Sequence, residues 1–238
     1  MNDRIKYLRE LSVNALPSLS IERALLETDF YKKNEGKYPI PVLRALNFYN
    51  LCKKKSIYIG DQELIVGERG PVPKAVPTFP ELTCHSVDDF NVLRKRELQR
   101  YSISDEEIEI YRKKVIPYWT GRTQRERIFN HVPESWRSLY EAGLFTEFME
   151  QRAPGHTALD GKIYRYGMLD LKRQIRQQLD SLDFMNDPEA TDKQEELTAM
   201  DISCDAAILF AKRHAVLAEK MAAEIENELA NAGKRVDS

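Results

Sequence analysis

Three cysteines, Cys52, Cys84 and Cys204, are all that 238 residues supply for sulfur chemistry. Their number is odd and no CxxC spacing occurs, which argues against a disulfide framework and against a zinc site and suits a reducing cytoplasm. Histidine is nearly as scarce, with four in the chain. Neither charge sign is in excess: 36 Lys and Arg against 38 Asp and Glu leave a formal charge of −2. No sustained positive field therefore exists to attract nucleic acid or anionic lipid. The short basic runs Lys53-Lys54-Lys55 and Arg94-Lys95-Arg96 fit solvated helix faces. Long apolar runs are missing as well. The opening "MNDRIKYLRELSV" has no core for a signal peptide, and nothing approaches the roughly 20 apolar residues that span a bilayer. Walker, GxGxxG, HExxH, GxSxG and EF-hand patterns do not occur, and no internal repeat aligns. These absences point to a cytoplasmic protein with no nucleic-acid or membrane partner, no bound metal and no cofactor-binding residues.

What is present is an ordinary globular composition, 42% hydrophobic and 31% charged, enough to bury a core as one domain or two small ones. Helical periodicity dominates. Ser20 before "IERALLETDFYKK" reads as an N-cap, with Ile21, Ala24, Leu25 and Thr28 on one face and Gly36 as the stop. "PIPVLRALNFYNLCKKK" predicts a second helix with Pro41 in its first turn. Residues 56 to 67, two short apolar runs around a Gly-Asp turn, predict a hairpin or bent strand pair. Four prolines at 71, 73, 77 and 80 make residues 68 to 81 extended, anchored by Val72, Val76 and Phe79. Further helices are expected at 87 to 98, 104 to 119 (capping box Ser104/Glu107), 123 to 131 and 134 to 143, then over "MLDLKRQIRQQLDSLDF" and 189 to 231. In that last span Leu197, Met200, Ala207, Ile208, Ala211, Ala215, Ala218, Met221 and Ala222 form a small apolar stripe suited to close helix packing. The fold class is mainly α with a few short strands.

Several residues could carry chemistry. Cys84 and His85 are neighbours, but adjacent side chains point apart, and packing at a helix N-terminus explains them better. His131 and His214 read as structural. Trp119 and Trp136, with Tyr118, Phe129 and Tyr140, are spaced as core aromatics. His156 differs. In "FTEFMEQRAPGHTALDG", Pro154 and Gly155 make a rigid turn that presents His156 and Thr157, with Glu147, Glu150 and Arg152 just upstream. A rigidly held histidine suits acid–base work on a small substrate. A solvated helix end is the alternative, and the residues alone leave both open.

"FTEFMEQRAPGHT", with "ELIVGERGPVPKAVPTFPEL" and "SIERALLETDFYK", resembles the N-terminal part of the glycyl radical enzymes, the family of pyruvate formate-lyase, from Ile5 to about Met221. Within it the likeness is greatest to the dehydratase branch, and there to the group acting on trans-4-hydroxy-L-proline. The resemblance implies that residues 1–238 are the N-terminal part of one pyruvate formate-lyase-like domain, with no separate second domain, and so the N-terminal portion of a ten-stranded α/β barrel. In the complete enzymes a glycyl radical near the C-terminus oxidises a cysteine in the barrel centre, whose thiyl abstracts a substrate hydrogen before the neighbouring hydroxyl leaves as water. Carried over by position, Phe148 would pack on the substrate ring and His156 would stand near the departing hydroxyl as a catalytic acid. This sequence departs from the pattern: Cys52, Cys84 and Cys204 lack the GC-x-E context, and "GKRVDS" holds no RV-x-GY motif. The radical is therefore expected only in a missing C-terminal part, and the chain alone is expected to be inactive. The implied partners are a small-molecule substrate, a possible second chain carrying the C-terminal half, and a radical-SAM activating enzyme for the completed protein. A non-catalytic helical binding or regulatory module derived from the family is the alternative.

Overall fold

The computed structural model describes residues 2–145 and 160–236, with side chains as far as residue 227. In chain order the elements are α1 (Asp3–Asn14), β1 (Ser18–Ser20), α2 (Glu22–Asn34), α3 (Ile40–Lys54), β2 (Ala75–Pro77), α4 (Val87–Lys95), α5 (Asp105–Lys114), α6 (Ile116–Trp119), α7 (Gln124–His131), α8 (Glu134–Glu141), a 3₁₀ turn (Asp160–Tyr164), α9 (Met168–Asp180) and α10 (Ala190–Val236). The chain is mainly helical, as its periodicity predicts. Among the described residues, no helix is long and apolar enough to cross a membrane.

Helix starts follow local chemistry. Ser86, Ser104 and Thr123 each accept a hydrogen bond from the amide three residues on, while their own backbone N–H groups donate to the carboxylates of Asp89, Glu107 and Glu126. Each such cap stabilises its helix by about 1 kcal/mol. The expected helix from 104 to 119 is broken, because Pro117 has no N–H to continue the ladder. Helix α5 ends at Lys114, and α6 restarts with Pro117 in its first turn.

The strands depart from expectation. Residues 56 to 67 form no hairpin: Leu64 and Ile65 are 79% and 92% exposed, with no sheet face against which to alternate. The sheet instead pairs β1 with β2 in parallel, Leu19 opposite Val76. Ser20 is consequently a strand residue and not a helix cap; its carbonyl accepts from Thr78 N–H, and the residue that precedes α2 is Ile21, which makes no side-chain cap. On its other side β1 bonds to the chain at Ser102, through Leu19 N–H to Ser102 O and Ser102 N–H to Pro17 O. The proline-rich segment is extended, as predicted. Lys74 and Thr78 bond inward to Ser18 and Ser20, so alternation turns the nitrogen of Pro77 outward, where a missing donor costs nothing. Its anchors are partly other residues than expected: Val76 packs on the core, but Val72 and Phe79 are exposed, and Ala75, Thr78 and Pro80 are the buried ones. Gly70 is required here, since a Cβ on it would lie 2.4 Å from the Cβ of Ala75.

The core gathers Leu19, Ile21, Ala24, Phe90, Ile108, Tyr111, Val115 and Trp119 from β1, α2, α4, α5 and α6. Inside it Trp119 Nε1–H donates to Thr28 Oγ1 at 2.9 Å, and that hydroxyl donates to Ala24 O at 2.6 Å. Trp119 is thus the core aromatic that the sequence predicts, whereas Phe129, Trp136 and Tyr140 are only half-buried. A second layer is formed by α3, α9 and α10. Arg213 of α10 donates to the carbonyls of Cys52 and Lys55 at 2.6 and 2.9 Å, satisfying acceptors left open at the end of α3. Lys172 of α9 bridges Asp201 and Asp205 of α10 at 2.7 and 2.8 Å. The expected stripe of α10 is not its buried face: Leu197, Ala207 and Ile208 are only half-buried and Met200, Ala211, Ala215, Ala218 and Ala222 are exposed, whereas the close packing falls on Ala199, Cys204 and Ala206.

Candidate functional site

Phe148 and His156, with Glu147, Glu150, Arg152, Pro154, Gly155 and Thr157, lie outside the described residues. Their two anchors lie inside. Helix α8 ends in a Schellman motif: Gly143 has φ +73°, its N–H bonds to Tyr140 O at 2.9 Å, and Leu144 N–H reaches back to Leu139 O at 3.1 Å. Glycine suits this left-handed position because it carries no Cβ. The reversal delivers Phe145 onto a cluster of rings. Trp136 and Tyr140, one turn apart on α8, stack at 5.7 Å with an interplanar angle of 3°; Phe129 of α7 meets both edge-on, and Phe145 lies 4.8 Å from Trp136. The Arg125 guanidinium covers Phe129 at 4.3 Å and donates to Tyr140 Oη at 3.1 Å. Aromatic pairs of this geometry contribute about 0.5–1.5 kcal/mol each beyond area burial. The aromatics expected in the core thus build the upstream anchor of the candidate site.

Downstream, the 3₁₀ turn leads through Gly167, whose N–H donates to Asp170 Oδ2 at 2.8 Å, into α9. Lys162 and Met168 line a groove of about 880 Å³ between α3 and α9, floored by α10. Ile40, Phe48, Leu171 and Met200 make its wall largely apolar, with Arg44 and Glu196 among its polar groups.

A second polar cluster, which sequence reasoning missed, ties α2 to α3 and to the chain after β2. Arg23 bonds Glu27 at 2.6 Å and Glu81 through both guanidinium ends at 2.9 and 2.6 Å. Asn47 Nδ2–H donates to the other Glu27 oxygen at 2.9 Å. Burial and then the neighbouring Glu81 charge push the Glu27 carboxyl upward, and Arg23 opposes them. Glu27 is legible only in hindsight, as a carboxylate one residue before Thr28 on the helix face and four after Arg23, the spacing of an ion pair.

The other histidines and the cysteines show structural roles. His131 Nδ1 lies 2.7 Å from Arg127 O and His214 Nδ1 2.9 Å from Phe210 O, each over one helical turn. His85 packs on Phe90 at 5.3 Å, and burial lowers its pKa. The Cys84 thiol faces Tyr111 Oη at 3.8 Å, and burial pushes it up to about 11, which leaves no thiolate for nucleophilic attack near neutral pH. No metal-binding group of three or more His, Cys, Asp or Glu occurs among the described residues.

The family profile described as Pyruvate formate lyase-like matches residues 1–233. The chain belongs to the pyruvate formate lyase-like family. It is 48% identical to the trans-4-hydroxy-L-proline dehydratase of Clostridioides difficile over 226 residues, which are 95% of this chain and 29% of the relative. The crystal structure of hydroxyproline dehydratase from that organism, with trans-4-hydroxy-L-proline bound, superposes with a TM-score of 0.89 over 94% of this chain and 28% of that one. The B12-independent glycerol dehydratase of Clostridium butyricum, with glycerol bound, gives 0.85 at 31% identity over 94% and 28% of the two chains. Isethionate sulfite-lyase of Nitratidesulfovibrio vulgaris is 27% identical over 94% of this chain and 28% of its own length. The chain matches the N-terminal part of glycyl radical enzymes and spans less than a third of the length of these relatives.

Proposed function

We propose that residues 1–238 form one N-terminal unit of a glycyl radical dehydratase that removes water from trans-4-hydroxy-L-proline. The observation that carries this reading is the 48% identity to the Clostridioides difficile enzyme, against 27% to isethionate sulfite-lyase and 31% to glycerol dehydratase. That gap favours a substrate-related role over a non-catalytic module of the same ancestry. In this reading the chain is the N-terminal portion of the ten-stranded barrel fold, the remainder of the barrel, the thiyl cysteine and the radical glycine come from polypeptide beyond the matched part, on the same or a second chain, and a radical-SAM enzyme activates the whole. The protein works in the cytoplasm on a small molecule.

Two residues of this chain have roles in the proposal. Phe148 supplies apolar contact to the substrate ring, which is equal in ground and transition states and so contributes to binding. His156, as imidazolium, hands a proton to the oxygen that leaves C4, so the hydroxyl departs as water and not as hydroxide. That contribution arises only in the transition state. The upstream anchor at Gly143 and Trp136 immediately precedes, in sequence, the segment that carries both.

The test is a completed enzyme, reconstituted by co-expression with the missing part and activated anaerobically. Turnover of trans-4-hydroxy-L-proline is expected. His156→Gln is expected to keep KM near the parent value and to lower kcat by about 10²–10⁴-fold, since glutamine can hydrogen-bond but cannot donate that proton. Phe148→Ala is expected to raise KM with little change in kcat. Equal, purely binding-level defects in the two variants would reduce His156 to a pocket wall, and no defect in either would refute both assignments.

A further inference from the structure

We infer that the groove between α3, α9 and α10 is the seat of a helix from the C-terminal part of a family-length polypeptide, an inference that rests on the proposed function and names where the completing part docks. Helices α3 and α9 both pack on α10, and the groove runs between them over its surface, so the three helices leave open the place of a fourth. The space, about 880 Å³, accommodates a row of side chains from one helix face, since helices pack 8–10 Å apart. Its wall carries Ile40 and Met200, 72% and 52% exposed, and Phe48, also exposed, at positions where a surface helix ordinarily carries polar groups. Covering them removes apolar surface from water, which favours docking.

The occupant is identified by what the relatives contain. The same fold recurs in chains of which it makes up 28–29%, so the relatives hold more than twice as much further polypeptide, and all but about a twentieth of this chain is accounted for within them. An apolar trough on a piece of that architecture is met by the rest of the architecture. Arg44 and Glu196, of opposite sign, together with Gln174, Gln177 and Gln178, also line the groove, so the docking helix should present an apolar stripe bordered by polar groups of mixed sign.

The experiment co-expresses this chain with the portion of the Clostridioides difficile dehydratase that it does not match, and measures complex formation by co-purification and sedimentation. The variants are Ile40→Asp, which places an acidic residue favourably in the first turn of α3, and Met200→Lys on the exposed side of α10. Val92→Asp, an exposed apolar position on α4 away from the groove, is the control, and circular dichroism of each isolated chain verifies its fold. Either groove variant is expected to weaken the complex at least tenfold, with Val92→Asp unchanged and Met200→Leu restoring parent affinity. A stable complex that neither groove variant weakens would overturn the docking assignment and leave the proposed function standing. No complex with the parent chain would overturn both. Self-association of the parent chain that the groove variants abolish would assign the groove to a second copy and overturn the inference as well.

Discussion

Replacing Glu27 by glutamine is expected to stabilise the chain above neutral pH and to flatten the pH dependence of its stability. The Glu27 side chain is 3% exposed and shares Arg23 with Glu81, so with both acids ionised the three groups carry one surplus negative charge. Burial first, and the Glu81 charge second, hold the Glu27 carboxyl above its ordinary range despite Arg23. In the unfolded chain it titrates near about 4.3. Between that value and the raised folded one, the folded chain keeps a proton that the unfolded chain has released. Stability therefore falls as pH rises through this window, by about 1.4 kcal/mol per pH unit for one proton. Below the unfolded value both states are protonated and above the folded value both are ionised, so the slope vanishes at either end. Two pH units inside the window cost about 3 kcal/mol, a sizeable share of the roughly 5–15 kcal/mol that holds a typical domain. Glutamine keeps the shape, can accept from Asn47 or Arg23 with its carbonyl and can donate to Glu81 with its amide, without the surplus charge. Urea unfolding followed by far-ultraviolet circular dichroism, from about pH 5 to about pH 9, should show the variant matching the parent at the acid end and exceeding it at the alkaline end. A variant weaker than the parent by about 2 kcal/mol or more at alkaline pH, with an unchanged slope, would refute the reasoning and make Glu27 an ionised partner of Arg23.

Trp119→Phe removes the donor to Thr28 Oγ1 while keeping most of the buried ring, and should lower stability by about 1–3 kcal/mol in the same titration; an unchanged midpoint would mean that the bond contributes nothing net. Cys84, with its pKa pushed up to about 11 by burial, holds about one thiolate per thousand molecules near pH 8, so a disulfide reagent should label it slowly in the folded chain and rapidly in urea. Fast labelling of the folded chain would contradict the buried thiol–tyrosine contact. This chain alone, incubated anaerobically with a radical-SAM activating enzyme of the family, should show no carbon-radical signal by electron paramagnetic resonance, because neither RV-x-GY nor GC-x-E occurs in its sequence. Such a signal would mean that the radical forms on an unrecognised residue.

Legibility followed the range of the interactions. Capping at Ser104 and Glu107 needs only four consecutive residues and is read directly, and the four prolines declare an extended segment on their own. The sheet is different. Ser18–Ser20 and Ala75–Pro77 are each too short to show alternation, and their pairing is known only from the hydrogen bonds that join them across the chain. Residues 63 to 66 carry a stronger strand signal than either, yet find no partner among the described residues, because propensity for a strand records a half-buried surface that must be supplied by another element. The spacing of Phe129, Trp136 and Tyr140 reads as core, yet these rings pack on one another and stay half-buried, since periodicity does not tell how much chain covers a face.

The chain that follows the candidate segment in sequence, the 3₁₀ turn and the start of α9, reaches the groove. Lys162 and Met168 stand on the downstream side of the candidate segment and also line the groove, whereas the upstream side is fixed independently by Gly143 and the rings around Trp136. A helix seated between α3 and α9 would therefore restrain the downstream side with the same contacts that hold the two parts together. Free energy released by docking is then available to position residues on the segment, in the way that remote binding energy is used for orientation at a reacting centre. If His156 has the proposed role, the physical consequence is directional: loss of groove contacts should lower turnover of the completed enzyme even where the complex survives, whereas loss of His156 should leave docking untouched.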